Sequence, residues 1–108
     1  MSDYPTSPVT NINFLNHLVQ LIRERKAQRN DPEAGQSSYT VSLFQRGLNK
    51  IAQKVGEEAV ELVIEAKDSN DELFRNEAAD LIFHLLVLLE EKDIPLEDVI
   101  NVLEERHQ

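Results

Sequence analysis

Cysteine is absent from this chain, which excludes a disulfide framework and a thiolate zinc site. Glycine and proline are scarce, three and four among 108 residues, a supply that favours helices over a small β-sandwich or barrel. Tryptophan is missing and only six residues are aromatic, whereas Leu, Ile, Val and Ala are plentiful. No apolar run reaches the roughly 18 residues of a membrane span. The longest, LIFHLLVLL (81–89), is half that length and is interrupted by His84. The amino terminus, MSDYPTSPVT, lacks the basic-then-apolar pattern of a signal peptide. These absences predict a soluble, cytoplasmic, all-α protein with no membrane partner. Its 41% hydrophobic content serves one core, and so short a chain leans readily on a second copy.

Basic charge is also in short supply. Residues 1–50 hold six Lys/Arg and four Asp/Glu, a net of +2; residues 51–108 hold five and sixteen, a net of −11, giving −9 overall. A duplex-DNA binder presents a basic face, so this balance argues against a nucleic-acid partner. An acidic half either serves solubility or collects divalent cations, and the number alone does not choose.

What is present is helical periodicity. Residues 1–9, with Pro5 and Pro8, read as a lead-in, and 10–108 as a single domain. From about Asn11, Ile12, Leu15, Leu18, Val19 and Ile22 follow helical spacing into the charged run RERKAQR. NDPEAGQSS then reads as a loop. A second helical region spans Tyr39 to Lys67, with Val41, Phe44, Leu48, Ile51, Val55, Leu62 and Ile64 inward. Gly47 and Gly56 within it mark a bend or a close approach, each costing about 1 kcal/mol relative to Ala. KDSND breaks the pattern, and Asn70 or Asp71 suits an N-cap. The third helix runs to about Lys92 and is apolar on most faces from Leu81 to Leu89, which predicts burial by neighbours or a second subunit. A last short helix begins near Pro95.

Two acidic pairs share one spacing. Glu58 and Glu61 lie three apart on the second helix, and Glu77 and Asp80 three apart on the third. Such spacing puts each pair on one face. The short connection folds the two helices into an antiparallel αα-hairpin. Both pairs are centred on residue 69, so Glu61 is set level with Glu77 and Glu58 with Asp80. Four carboxylates would then converge, and without a counter-ion they would repel one another and lose hydration. Hard oxygen donors without Cys or a His pair point to Mg²⁺ or Mn²⁺ rather than zinc. Spacing alone leaves open the alternative of a solvated acidic face. Glu57, Glu65, Glu90 and Glu91 are read as such a face.

EEAVE (57–61) followed by EAAD (77–80) resembles the EExxE…ExxD signature of the MazG-like, all-α nucleoside-triphosphate pyrophosphohydrolases. The flanks narrow the likeness. SYTVSLFQRGLNKIAQKVGEEAVELVIEAK, EAADLIFHLLVLL and PLEDVINVLEERH resemble the phosphoribosyl-ATP pyrophosphohydrolase family, in a form without the fused cyclohydrolase domain. The resemblance covers the chain from about Phe14. It implies a homodimeric helical bundle and Mg²⁺-dependent cleavage of the α–β phosphoanhydride of phosphoribosyl-ATP, the second step of histidine biosynthesis. It also assigns Glu58, Glu61, Glu77 and Asp80 to metal binding; a carboxylate beside the metal could accept the proton of the attacking water, and Glu57 or Glu61 is the choice for that role. Lys54 and Lys50, one and two turns before Glu58, fit a phosphate tail or simple pairing on the helix. Ser38, Tyr39 and Thr40 of the SYT segment fit substrate contact, an N-cap serving Ser38 equally well. His84, one turn beyond Asp80, is expected at the substrate or behind it. Two other readings stay open: a house-cleaning enzyme acting on dCTP or dUTP, and a non-catalytic helical dimerisation module.

Overall fold

The computed structural model describes the backbone from Val9 to Gln108 and the side chains from Phe14 onward. The expected lead-in, apart from Val9, lies outside the described residues. Helix α1 is Val9–Lys26, α2 Ala34–Ser37, α3 Tyr39–Arg46, α4 Leu48–Ala66, α5 Asp71–Glu91 and α6 Leu96–Arg106. No strand occurs among the described residues, so the fold is all-α as expected. None of these helices is long and apolar enough to cross a membrane.

The local chemistry explains the breaks. The region expected to be one helix from Tyr39 to Lys67 is two, divided at Gly47, whose φ of 90° and ψ of −176° suit a residue without Cβ. Gly47 closes α3 through its amide, which donates to the Leu43 carbonyl at 3.1 Å, and its own carbonyl accepts from Ile51 N in α4. Gly56 is different. It sits inside α4, and a Cβ built there meets nothing within 4 Å, so the expected close helix approach is not found among the described residues. Ser38 caps α3, its Oγ accepting from Val41 N at 3.2 Å. Asn70 caps α5 by accepting from Leu73 N at 3.1 Å, with Asp71 and Glu72 favourably placed at the positive helix end.

Helices α4 and α5 form the antiparallel hairpin. At its open end α1 and α3 close over it, burying Ile22, Leu43, Phe44, Ile51, Leu86 and Val87, with Leu18, Val19, Phe83, Leu88 and Leu96 packed against them. Ile51 and Val87, each 18 residues from residue 69, are both fully buried; the expected pairing of Glu61 with Glu77 is not found, since Glu77 meets Glu58 instead. Toward the turn, the hairpin runs beyond this core. Ile64, expected inward, is 54% exposed there, out of reach of α1 and α3. Leu48, also expected inward, opens α4 just after the kink and is 45% exposed. Ile82 and Leu85 on α5 are exposed too, so the protomer does not cover all faces of its most apolar helix.

The basic end of α1 grips the far end of α5. Arg23 Nε pairs with Glu90 Oε1 at 3.2 Å, and Lys26 Nζ donates to the Glu90 carbonyl at 2.7 Å and to Asp93 Oδ1 at 2.8 Å. Arg29 Nη2 donates to the Phe44 carbonyl at 2.7 Å and pairs with Glu91. Glu90 and Glu91 are therefore not the solvated face that their spacing implied; both are half-buried and matched by arginines distant in sequence, Arg23 of α1 and Arg29 of the turn that follows it. Lysine at the carboxyl end of α5 also complements the helix dipole. The Lys26 hydrogen bond and charge hold Asp93 below the usual carboxylate range.

Candidate metal centre

Midway along the hairpin, between the core and the turn, three carboxylates meet. One oxygen each from Glu58 on α4 and Glu77 and Asp80 on α5 lie within 4.8 Å of one another. Glu58 and Glu77 are half-buried, Asp80 is exposed, and no enclosed pocket flanks them among the described residues. The cluster lies on an open seam.

Electrostatics expose the cost of this arrangement. Glu77 Oε2 is buried with no hydrogen-bond partner. Two ionised carboxylates offer no donor to each other, so relief requires either a shared proton or a cation. In the metal-free protein, hydrogen bonding to Glu58 is the main influence raising Glu77 above the usual carboxylate range; burial and the charges of Glu58, Asp80 and Glu61 add to it. A hard divalent cation satisfies the orphaned oxygen and cancels the repulsion without a proton. Three carboxylates with open positions suit Mg²⁺ or Mn²⁺, which keep several waters or phosphate oxygens in their shells. The donor set fits such an ion.

The fourth expected ligand, Glu61, stands apart. Three residues turn α4 through about 300°, which rotates Glu61 roughly 60° away from Glu58. It is exposed, lies outside the three-carboxylate cluster and makes no side-chain hydrogen bond among the described residues. Glu57 is occupied elsewhere: its Oε2 accepts from Gln53 Nε2 at 2.9 Å and its Oε1 lies 3.3 Å from Lys54 Nζ. The hydrogen bonds from Gln53 and then Lys54 hold Glu57 below the usual range, which weakens it as a proton acceptor. Glu65, expected on the surface, is half-buried and has a buried oxygen without a partner.

The other expected contacts divide. Lys54 pairs with Glu57 and lies 3.6 Å from Glu58 Oε1, at the edge of the cluster. Burial acts against its charge, but the Glu57 hydrogen bond and nearby negative charge outweigh this and raise the ammonium. Lys50 is half-buried, with no ion pair among the described residues. The Ser38 hydroxyl is spent on the α3 cap. Thr40 is half-buried and its side chain has no hydrogen-bond partner among the described residues. Tyr39 Oη lies 2.8 Å from His84 Nε2, and His84 Nδ1 lies 2.7 Å from the Asp80 carbonyl. His84 is 5% exposed with both nitrogens engaged, so it has none left for substrate. Sequence reasoning missed this link because residues 39 and 84 sit on helices whose packing no local spacing encodes.

The family model of phosphoribosyl-ATP pyrophosphohydrolase matches residues 15–107, nearly the whole described chain. The chain belongs to this family. A phosphoribosyl-ATP pyrophosphatase of Listeria innocua is 53% identical over 89 residues, covering 82% of this chain and 84% of that protein. Histidine biosynthesis bifunctional protein HisIE of Bacillus subtilis is 48% identical over 94 residues, and that of Shewanella oneidensis 52% over 95. These matches cover 87% and 88% of this chain but 43% of each bifunctional protein. The chain thus spans less than half the length of those relatives. The matched residues 15–107 include α4, α5 and the Glu58–Glu77–Asp80 cluster.

Proposed function

We propose that this protein hydrolyses the α–β phosphoanhydride of phosphoribosyl-ATP to phosphoribosyl-AMP and pyrophosphate, a step of histidine biosynthesis, with a divalent cation at Glu58, Glu77 and Asp80. The observation that carries the reading is the convergence of these three carboxylates, one with an orphaned buried oxygen, in a member of the phosphoribosyl-ATP pyrophosphohydrolase family. Mg²⁺, with Mn²⁺ as a substitute, would neutralise charge on the phosphate oxygens and acidify a bound water. Glu61, one turn from Glu58 and without a hydrogen-bond partner among the described residues, would take the proton of the attacking water. Water's oxygen bonds to phosphorus as the anhydride P–O bond breaks and the negative charge leaves on pyrophosphate. Lys50 and Lys54 line the same helix and supply positive charge for the phosphate tail.

The test measures pyrophosphate released by the purified protein from phosphoribosyl-ATP and from dCTP, dUTP and ATP, with and without Mg²⁺. Release from phosphoribosyl-ATP alone, and only with Mg²⁺, is the expected result. Release from dCTP or dUTP instead would transfer the assignment to the house-cleaning class, and no release from any substrate would leave the dimerisation module.

A homodimer belongs to the same proposal. Val60, Val63 and Ile64 on α4 and Ile82 and Leu85 on α5 are between 41% and 60% exposed. A second copy covering them would bury aliphatic surface worth about 25 cal/mol per Å² and would wall the open carboxylate seam. Light scattering should give twice the monomer mass at micromolar concentration; a monomer there rejects the dimer.

A further inference from the structure

The Tyr39–His84–Asp80 chain of hydrogen bonds has a direction that its chemistry dictates. A backbone carbonyl only accepts, so the 2.7 Å contact to Asp80 O places the proton of a neutral His84 ring on Nδ1. Nε2 is then an acceptor, and the 2.8 Å contact to Tyr39 Oη is filled by the tyrosine's own proton. The ring cannot easily turn to the other arrangement. It is 5% exposed, set edge-on to both Tyr39 and Phe83 at 5.7 and 5.2 Å between centroids. Tyr39 has thereby given away its one donor, and only oxygen lone pairs remain for the site.

A phosphate oxygen is itself an acceptor, so a hydroxyl in this state repels rather than binds it. The ligand it suits is a hydrogen-bond donor. Tyr39 is tied to the metal centre through His84, which bonds its hydroxyl on one side and the backbone of Asp80, one of the three clustered carboxylates, on the other. Lys54 is engaged with Glu57 and Glu58. Among the donors that such a cluster would gather are the waters of a cation held there, polarised by the metal charge.

We propose that His84 is a positioning residue which turns the Tyr39 hydroxyl into an obligate acceptor, and that this acceptor binds a water in the shell of the divalent cation held by Glu58, Glu77 and Asp80. The inference rests on the cation reading above. It separates two residues that the sequence groups together as substrate contacts: Tyr39 meets the hydrated ion, and His84 acts only through Tyr39. Groups next to metal ligands commonly tune metal affinity by 10- to 100-fold, and a single water-mediated contact belongs at the lower end of that range.

Two measurements test this without turnover. A long-range ¹H–¹⁵N spectrum of the metal-free protein, at about pH 8 and so above the ordinary histidine range, should show His84 with its proton on Nδ1. A proton on Nε2 overturns the proposal. Mn²⁺ binding is then followed by the loss of the free-ion electron paramagnetic resonance signal. Tyr39→Phe should weaken Mn²⁺ binding on the order of tenfold. His84→Phe, which keeps bulk but offers no acceptor, should weaken it equally. The double variant should be no worse than either, since both remove the same contact. His84→Gln, whose amide oxygen can still accept from Tyr39, should restore affinity to within about threefold of the native protein. Should His84→Phe fail to fold, Tyr39→Phe and His84→Gln carry the test alone. Native-like Mn²⁺ affinity in Tyr39→Phe overturns this proposal while leaving the cation site standing. No Mn²⁺ binding by the unaltered protein removes the cation reading and this inference together.

Discussion

Glu77→Gln and Asp80→Asn should each lower kcat/KM for pyrophosphate release by on the order of 10³ while the helical fold persists. Metal stabilisation of phosphate charge contributes several kcal/mol to such a transition state, and about 1.36 kcal/mol corresponds to each tenfold in rate. The two variants divide on stability. Glu77 is raised above its ordinary value chiefly through its contact with Glu58 and also by burial. A carboxyl raised on folding contributes stability below its unfolded pKa, near 4.3 for Glu, and loses it as pH climbs through the folded value. At pH 7 to 8 an ionised Glu77 in the metal-free protein is therefore a burden, and Glu77→Gln should melt no lower than the native chain without metal. Adding Mg²⁺ should raise the native melting temperature and leave that of Glu77→Gln nearly unchanged. Glu61→Gln provides the contrast: it should retain Mn²⁺ affinity within a few-fold yet lose on the order of 10² to 10⁴ in kcat, as expected for a general base. Full activity in folded Glu77→Gln or Asp80→Asn would refute the metal centre, and loss of metal binding in Glu61→Gln would move that residue from base to ligand.

The largest stability effect is expected at Phe44, the bulkiest side chain that is fully buried. It belongs to one buried cluster with Ile22 of α1, Leu43 of its own helix, Ile51 of α4 and Leu86 and Val87 of α5, to which four helices contribute. The Arg29 guanidinium lies 5.7 Å from its centroid while bonding to its carbonyl, so the same arginine braces the ring and the backbone. Phe44→Ala should cost about 3 to 5 kcal/mol, the range for emptying such a site. That is a large part of the 5 to 15 kcal/mol that stabilises an ordinary domain. Urea unfolding followed by circular dichroism measures it, at matched protein concentration because assembly would add a concentration-dependent part. A loss below about 1 kcal/mol would show that the core does not centre on this ring.

Part of the site was legible because its information is local. Glu77 and Asp80 share a helix, Glu58 lies the same number of residues before residue 69 as Asp80 lies after it, and a short cap at Asn70 folds one helix onto the other. Ile51 and Val87 obey the same symmetry and fill the core. Spacing did not separate Glu61 from the cluster, since three residues on a helix share a face only to within about 60°. Nor did it foresee that Glu57 would be drawn off by Gln53 and Lys54.

The sequence by itself determined the all-α class, the helical hairpin, the acidic signature and the family, because helical period, capping and residue order are properties of neighbours along the chain. Only the tertiary structure decided the rest. The break at Gly47 swings α3 back so that Tyr39 reaches His84, 45 residues away. Arg23 of α1 and Arg29 just beyond it meet Glu90 and Glu91 only because α1 lies along α5. Which carboxylate oxygen is left buried and unpartnered depends on how α4 and α5 rotate against each other, and no spacing along one helix contains that angle.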